Sequence, residues 1–156
     1  MGIRILLVDD HDVVRQGLRT ILRARPEWEI CGEAANGKEA LEAAQALRPD
    51  IIVLDITMPI MSGLEATEEL QKLDLGTRVL IFTMHDSKSL VRALKKAGAQ
   101  GYVLKAHAAR DLIRAIEKLL DGDTFFGPDT EGTEPPSASR SSSSFLFRRR
   151  LATAWA

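Results

Sequence analysis

Ile3-Arg4-Ile5-Leu6-Leu7-Val8-Asp9-Asp10 and Ile51-Ile52-Val53-Leu54-Asp55 are the two stretches whose reading decides the fold. Each is a short, mainly apolar run, rich in Ile, Leu and Val, that ends on carboxylates. Such runs suit strands buried on both faces, as in a parallel sheet flanked by helices. Ligands of such sheets sit beyond the carboxyl ends of the strands. Asp9, Asp10 and Asp55 are therefore expected to gather at one end. Three carboxylates at close range repel one another unless a cation joins them. An all-oxygen site open to water suits Mg²⁺, which keeps part of its hydration shell and takes phosphate oxygens as further ligands. The pattern points to phosphoryl chemistry.

Outward from these runs, two more strands are expected. Arg78–Thr83 ends on a hydroxyl, and Gly101–Lys105 ends on an amine. Glu29–Ala34 reads as a further strand. Between them lie helical periodicities. The first carries Val13, Val14, Gly17, Leu18, Ile21 and Leu22 at helical spacing, with Arg15, Arg19 and Arg23 outward, Asp12 as its N-cap and Pro26 past its end. The others are Lys38–Leu47, Gly63–Leu73, Ser87–Ala97 and Ala109–Leu120. Five alternating βα units with right-handed crossovers give a three-layer α/β sandwich.

Read in chain order, the strand ends carry Asp-Asp, Asp, Thr and Lys. That set resembles the receiver domain of two-component response regulators, over roughly residues 3 to 121. Asp55-Ile56-Thr57-Met58-Pro59 with Ser62-Gly63 is similar to the family's phosphoacceptor segment. Asp9-Asp10-His11-Asp12-Val13-Val14-Arg15-Gln16-Gly17-Leu18 is most similar to the NarL/LuxR subfamily. The resemblance implies a doubly wound, flavodoxin-like sheet of order 2-1-3-4-5. It also implies phosphorylation by a sensor histidine kinase, a cytoplasmic signalling role without turnover of a free substrate, and an output in transcription. Self-association on phosphorylation stays open.

Under this resemblance Asp55 is the phosphoacceptor, since a carboxylate can attack phosphorus to give an aspartyl phosphate. Asp10 touches Mg²⁺ directly, Asp9 through water, and the backbone carbonyl of Thr57 supplies a further oxygen. Lys105, a compact point charge, pairs with Asp55 and later with a phosphate oxygen. Ala106 stands where the family often has proline, so the geometry of that peptide bond is open. Thr83 is the switch: its hydroxyl can donate to a phosphate oxygen, and a hydrogen bond to a charged group is worth about 1.5–3 kcal/mol. Tyr102 fills the space that Thr83 vacates. The readout face includes Lys88, Leu90, Val91 and Lys95. Each of these residues alone has a plainer reading as a cap, a packing residue or a solvated charge. His11, His85 and His107 are read as surface histidines, because magnesium prefers oxygen donors.

Two rival classes are weighed. An aspartate-nucleophile phosphatase of the haloacid dehalogenase class needs a second Asp two residues after its nucleophile as acid/base. Thr57 follows Asp55 at that spacing, and His11 follows Asp9. A dinucleotide-binding domain needs a glycine-rich turn after the first strand, where this chain has acids. Within the receiver reading, a stand-alone receiver that acts by binding proteins is the alternative to a transcription regulator.

The 156 residues carry a formal net charge of -1 and a single cysteine, Cys31. That balance gives no global sign of nucleic-acid or anionic-membrane binding, and one thiol suits a reducing compartment. No stretch is long enough to cross a bilayer. The N-terminal apolar run is too short for a signal peptide and leads straight into acids. Residues 1–122 are expected to form the receiver, with Phe125 and Phe126 packing back on it. Residues 123–156, with Pro135-Pro136 and a serine-rich run, read as a linker and disordered tail. They lack the two periodic helices of a helix-turn-helix. Arg148-Arg149-Arg150 gives weak, salt-sensitive phosphate attraction at most, so no specific DNA binding is expected of this chain.

Overall fold

A computed structural model describes residues 2–127. The expectations for the serine-rich tail and for Arg148–Arg150 lie outside the described residues. Five strands alternate with five helices in chain order: β1 (Ile3–Val8), α1 (Asp12–Leu22), β2 (Trp28–Ala34), α2 (Gly37–Leu47), β3 (Ile51–Leu54), α3 (Gly63–Leu73), β4 (Arg78–Thr83), α4 (Lys88–Ala97), β5 (Gly101–Leu104) and α5 (Ala108–Leu120). All neighbouring strands are parallel, in the order β2-β1-β3-β4-β5. This is the doubly wound sheet expected.

Pleating sends alternate side chains to opposite faces. Leu6, Val8, Ile52, Leu54, Val79, Ile81 and Tyr102 face one core with Ala40, Ala44, Ala66, Leu70 and Leu94 from α2, α3 and α4. Ile5, Leu7, Ile51, Val53, Leu80, Phe82 and Val103 face the other, against Leu18 and Leu22 of α1 and Leu112, Ala115, Ile116 and Leu119 of α5. The sheet is thus the middle of three layers. Every residue of β3 is fully buried, which explains its uninterrupted apolar sequence.

Local details differ from the sequence reading, beginning with α1, where Val13 of the apolar repeat is exposed and Arg15, expected outward, is mostly covered. Asp12 is not the N-cap of α1; it is the first helical residue, and His11 occupies the cap position without a side-chain capping bond. The turn is made earlier, by Asp9, whose Oδ1 accepts the His11 N–H at 2.9 Å. Asp12 instead accepts from Arg15 and Gln16 on its own helix. Register slips between Ile5 and Leu6, which pair with Ile30 and Gly32, so Cys31 is the extra residue of a bulge. β5 ends at Leu104, and Lys105–His107 form a single 3₁₀ turn before α5.

Beyond α5 the chain returns to the sheet. Phe125 donates its N–H to Gln100 O, and Tyr102 donates its N–H to Phe125 O at 2.7 Å. Phe125 joins the core on the α5 side and Phe126 the core on the α4 side. The expected back-packing of both rings is observed.

Candidate functional site

Strand register brings the polar ends together. Val8 pairs with Leu54, so Asp9 lies beside Asp55 one residue further on. Thr83 pairs with Leu104, so Lys105 follows at the same edge. Asp9 and Asp55 are buried, whereas the Asp10 side chain keeps 29% exposure. Carboxylate oxygens of Asp9, Asp10 and Asp55 and a ring nitrogen of His11 all lie within 4.8 Å of one another, a group that could hold a metal ion.

Among the described residues, Lys105 is the only Lys or Arg within ion-pair distance of these three acids. Its Nζ is 2.7 Å from Asp9 Oδ2 and 3.5 Å from Asp55 Oδ2. The expected pairing with Asp55 is present, but the closer partner is Asp9. The Lys105–Ala106 bond is trans, as is every described peptide bond. Asp55 Oδ1 accepts the Ile56 N–H at 2.8 Å. Burial, then the neighbouring Asp9 charge, raises the Asp55 carboxyl above its ordinary range, against the pull of Lys105. One ammonium facing three carboxylates leaves negative charge uncompensated, and most of the donors are hard oxygens. The residues fit a small divalent cation.

The phosphoacceptor candidate sits in a tight backbone frame. Asp55 N–H donates to Val8 O at 3.0 Å, and Gly63 N–H donates to Ile56 O at 2.8 Å. A Cβ on Gly63 would fall 2.1 Å from the Asp55 carbonyl oxygen, so only glycine lets α3 start this close. Ser62 and Glu65 form a reciprocal capping box at the same helix end. In the loop between, Ile60 has φ of 70°, an uncommon conformation for a β-branched residue, and Met61 N–H closes a three-residue turn onto Pro59 O.

The response regulator receiver domain model matches residues 5–117 of the chain. The transcriptional regulatory protein DegU of Brevibacillus brevis is 36% identical over 126 residues, 81% of this chain and 53% of that protein. The nitrate/nitrite response regulator protein NarL of Escherichia coli K12 is 37% identical over 119 residues, 76% of this chain and 55% of that protein. The chain belongs to the response regulator receiver family. A crystal structure of a LuxR-family two-component response regulator from Aurantimonas agrees with this at 40% identity and a TM-score of 0.78, covering 83% of this chain and 92% of that one. The receiver spans about half the length of the curated relatives it matches.

Thr83 and Tyr102, the expected switch pair, are both buried and meet at His85, a surface histidine in the sequence reading. Thr83 Oγ1 accepts the His85 N–H at 3.2 Å, and Tyr102 Oη donates to His85 O at 2.6 Å. The Tyr102 ring is thus already inward in this receiver. Burial, then the Asp86 carboxylate, pushes its phenol up, so it remains a donor. No residue type marks this link, because it runs through the His85 backbone. His11 is likewise closer to the site than expected: its Nδ1 lies 3.1 Å from Asp9 Oδ1 and 3.1 Å from Asp10 Oδ1.

Proposed function

We propose that this receiver takes a phosphoryl group onto Asp55 from the phosphohistidine of a sensor histidine kinase and passes the change to an output, in transcription as the names of its relatives suggest. The observation that carries the reading is a buried carboxylate, Asp55, at a strand end between Asp9 and Lys105. A carboxylate oxygen of Asp55 bonds to phosphorus while the phosphorus–nitrogen bond of the donor breaks. The imidazole leaves with the bonding pair and regains a proton. Asp9, Asp10, Asp55 and the backbone carbonyl of Thr57 are the groups that would hold Mg²⁺, which offsets charge on the phosphoryl oxygens. Lys105 supplies a further positive contact to those oxygens.

Thr57 stands where a phosphatase of similar chemistry would need an acid, so the reading is a stoichiometric signalling role, not turnover of stable phosphomonoesters. A cytoplasmic location, self-association on phosphorylation, and a division into a receiver of residues 1–122 and a tail belong to the same proposal. No helix among the described residues is long and apolar enough to cross a membrane. Incubation with acetyl phosphate and Mg²⁺ should add one phosphoryl group, and a chelator should prevent it. A chain that gains no mass under these conditions would overturn the reading.

Asp10→Ala should lose most Mg²⁺ affinity while leaving the metal-free fold no less stable, because one of three mutually repelling carboxylates is gone. Thermal melts with and without Mg²⁺ test both halves. The same Mg²⁺-induced rise in the variant would count against the site.

Thr83→Ala should still accept phosphate, since Thr83 is neither nucleophile nor metal ligand. It should lose most of the response on α4 around Lys88, Leu90, Val91 and Lys95. Drawing the Thr83 hydroxyl toward a phosphoryl oxygen gives up its bond from His85 N–H, and His85 O holds Tyr102. A bond worth about 1.5–3 kcal/mol shifts a two-state equilibrium roughly 10- to 100-fold. Amide shifts with and without beryllofluoride decide it: a full wild-type response on α4 would make Thr83 a packing residue.

A further inference from the structure

Arg15 is the one residue of the Asp9–Leu18 motif that makes a side-chain bond to the backbone of the acid pair and is not itself part of the cluster. Its side chain is only 16% exposed although it stands on a surface helix. Nη1 donates to the main-chain carbonyl of Asp9. Nε donates to Glu33 Oε1 on β2 at 2.8 Å, and Nη2 to Asp12 Oδ1 at 3.2 Å. On the other side, Asp9 N–H is held by Ala34 O at 3.1 Å. The backbone of Asp9 is therefore gripped at its N–H by β2 and at its carbonyl by a guanidinium that is itself anchored on β2.

The two acids differ in how they are fixed. The Asp9 carboxylate is held by His11 N–H on one oxygen and Lys105 on the other. Asp10 has a single described ion-pair contact, with His11, whose own side chain is 66% exposed. The direction in which Asp10 points is thus set mainly by the peptide that joins it to Asp9. That peptide's oxygen is the atom Arg15 holds. A planar fork holds the carbonyl and Glu33 from separate nitrogens in fixed geometry, whereas a lysine offers one rotatable point charge.

We infer that Arg15 is a positioning residue for the metal site: it orients the Asp9–Asp10 peptide so that the Asp10 carboxylate faces Asp9 and Asp55. The inference rests on the reading of the acid cluster as a Mg²⁺ site. It makes a claim opposite in sign to simple electrostatics. A cation near the acid cluster weakens binding of a second cation, so charge alone requires that Arg15→Met tighten Mg²⁺ and that Arg15→Lys leave it unchanged. Positioning requires that both loosen Mg²⁺.

Arg19 provides the control. It stands on the same helix and pairs with the same Glu33, but makes no described bond to Asp9. Mg²⁺ titration of the full chain should show the dissociation constant raised about 10-fold in Arg15→Lys and Arg15→Met, and changed less than about twofold in Arg19→Lys. With no metal added, exchange of the His11 amide should be faster in the Arg15 variants alone. Should Arg15→Met fail to fold, Arg15→Lys decides, since it keeps the charge and the aliphatic stem. Unchanged or tighter Mg²⁺ binding in the Arg15 variants, or an equal loss in Arg19→Lys, overturns the inference and leaves the site reading intact. A wild-type chain that binds no Mg²⁺ overturns the site reading and this inference with it.

Discussion

Asp55→Asn is expected to abolish phosphorylation by acetyl phosphate, leaving no mass gain where the unaltered chain takes one group. The amide keeps the shape of the carboxylate and can still meet the Ile56 N–H, but it is no nucleophile. The same change should raise the stability of the metal-free protein at neutral pH. Burial and Asp9 raise the Asp55 carboxyl in the folded state, so the fold binds protons more readily than the unfolded chain there. Stability then falls as pH rises from the ordinary carboxylate range through the raised value. Asn has no such penalty. The advantage of the variant should therefore be present at neutral pH and disappear in acid, below both values. Persistent labelling of the variant would remove Asp55 from the mechanism. A stability gain independent of pH would remove the charge argument.

Gly63→Ala should lower stability and phosphorylation together. The added Cβ would meet the Asp55 carbonyl oxygen at 2.1 Å and the Asp55 carbonyl carbon and Ile56 Cα at 2.9 Å. All are backbone atoms, and none can swing aside as a side-chain end would. Either α3 retreats, losing the Gly63 N–H bond to Ile56 O, or the strand end carrying Asp55 moves. Overpacking typically costs about 1–3 kcal/mol, and the fixed frame here argues for the upper end, a fall in melting temperature on the order of 10 °C. A displaced Asp55 should also accept phosphate more slowly at saturating Mg²⁺. A melting temperature and labelling rate equal to wild type would show that the frame yields freely, against the close approach.

The parts of the fold that followed from sequence are those in which one residue type reports one environment. Ile51–Leu54 has no polar interruption because no atom of it reaches solvent, and Asp55 announces the strand end by its charge. Ser87 marks a helix start because its side-chain oxygen accepts the Leu90 amide. Asp12 misled for a related reason. It has the right chemistry for a cap, but Asp9 had already turned the chain, and that choice depends on where Lys105 and His11 hold the Asp9 oxygens. The Cys31 bulge and the 3₁₀ turn at Lys105 leave no periodic trace, since each alters a single residue or three. The role of His85 runs through peptide atoms that every residue shares, and the contacts of Arg15 span the distance between two strand ends that sequence alone does not bring together.

Phe125 and Phe126 set one ring on each side of the sheet, with Phe125 under Arg114 and Phe126 under Lys95. The departing chain is thereby riveted to the rim of β5 and denied a swivel. Phe125 itself lies one backbone hydrogen bond from Tyr102. A displacement of the Tyr102 backbone would bear on this short stretch directly, without passing through the helices.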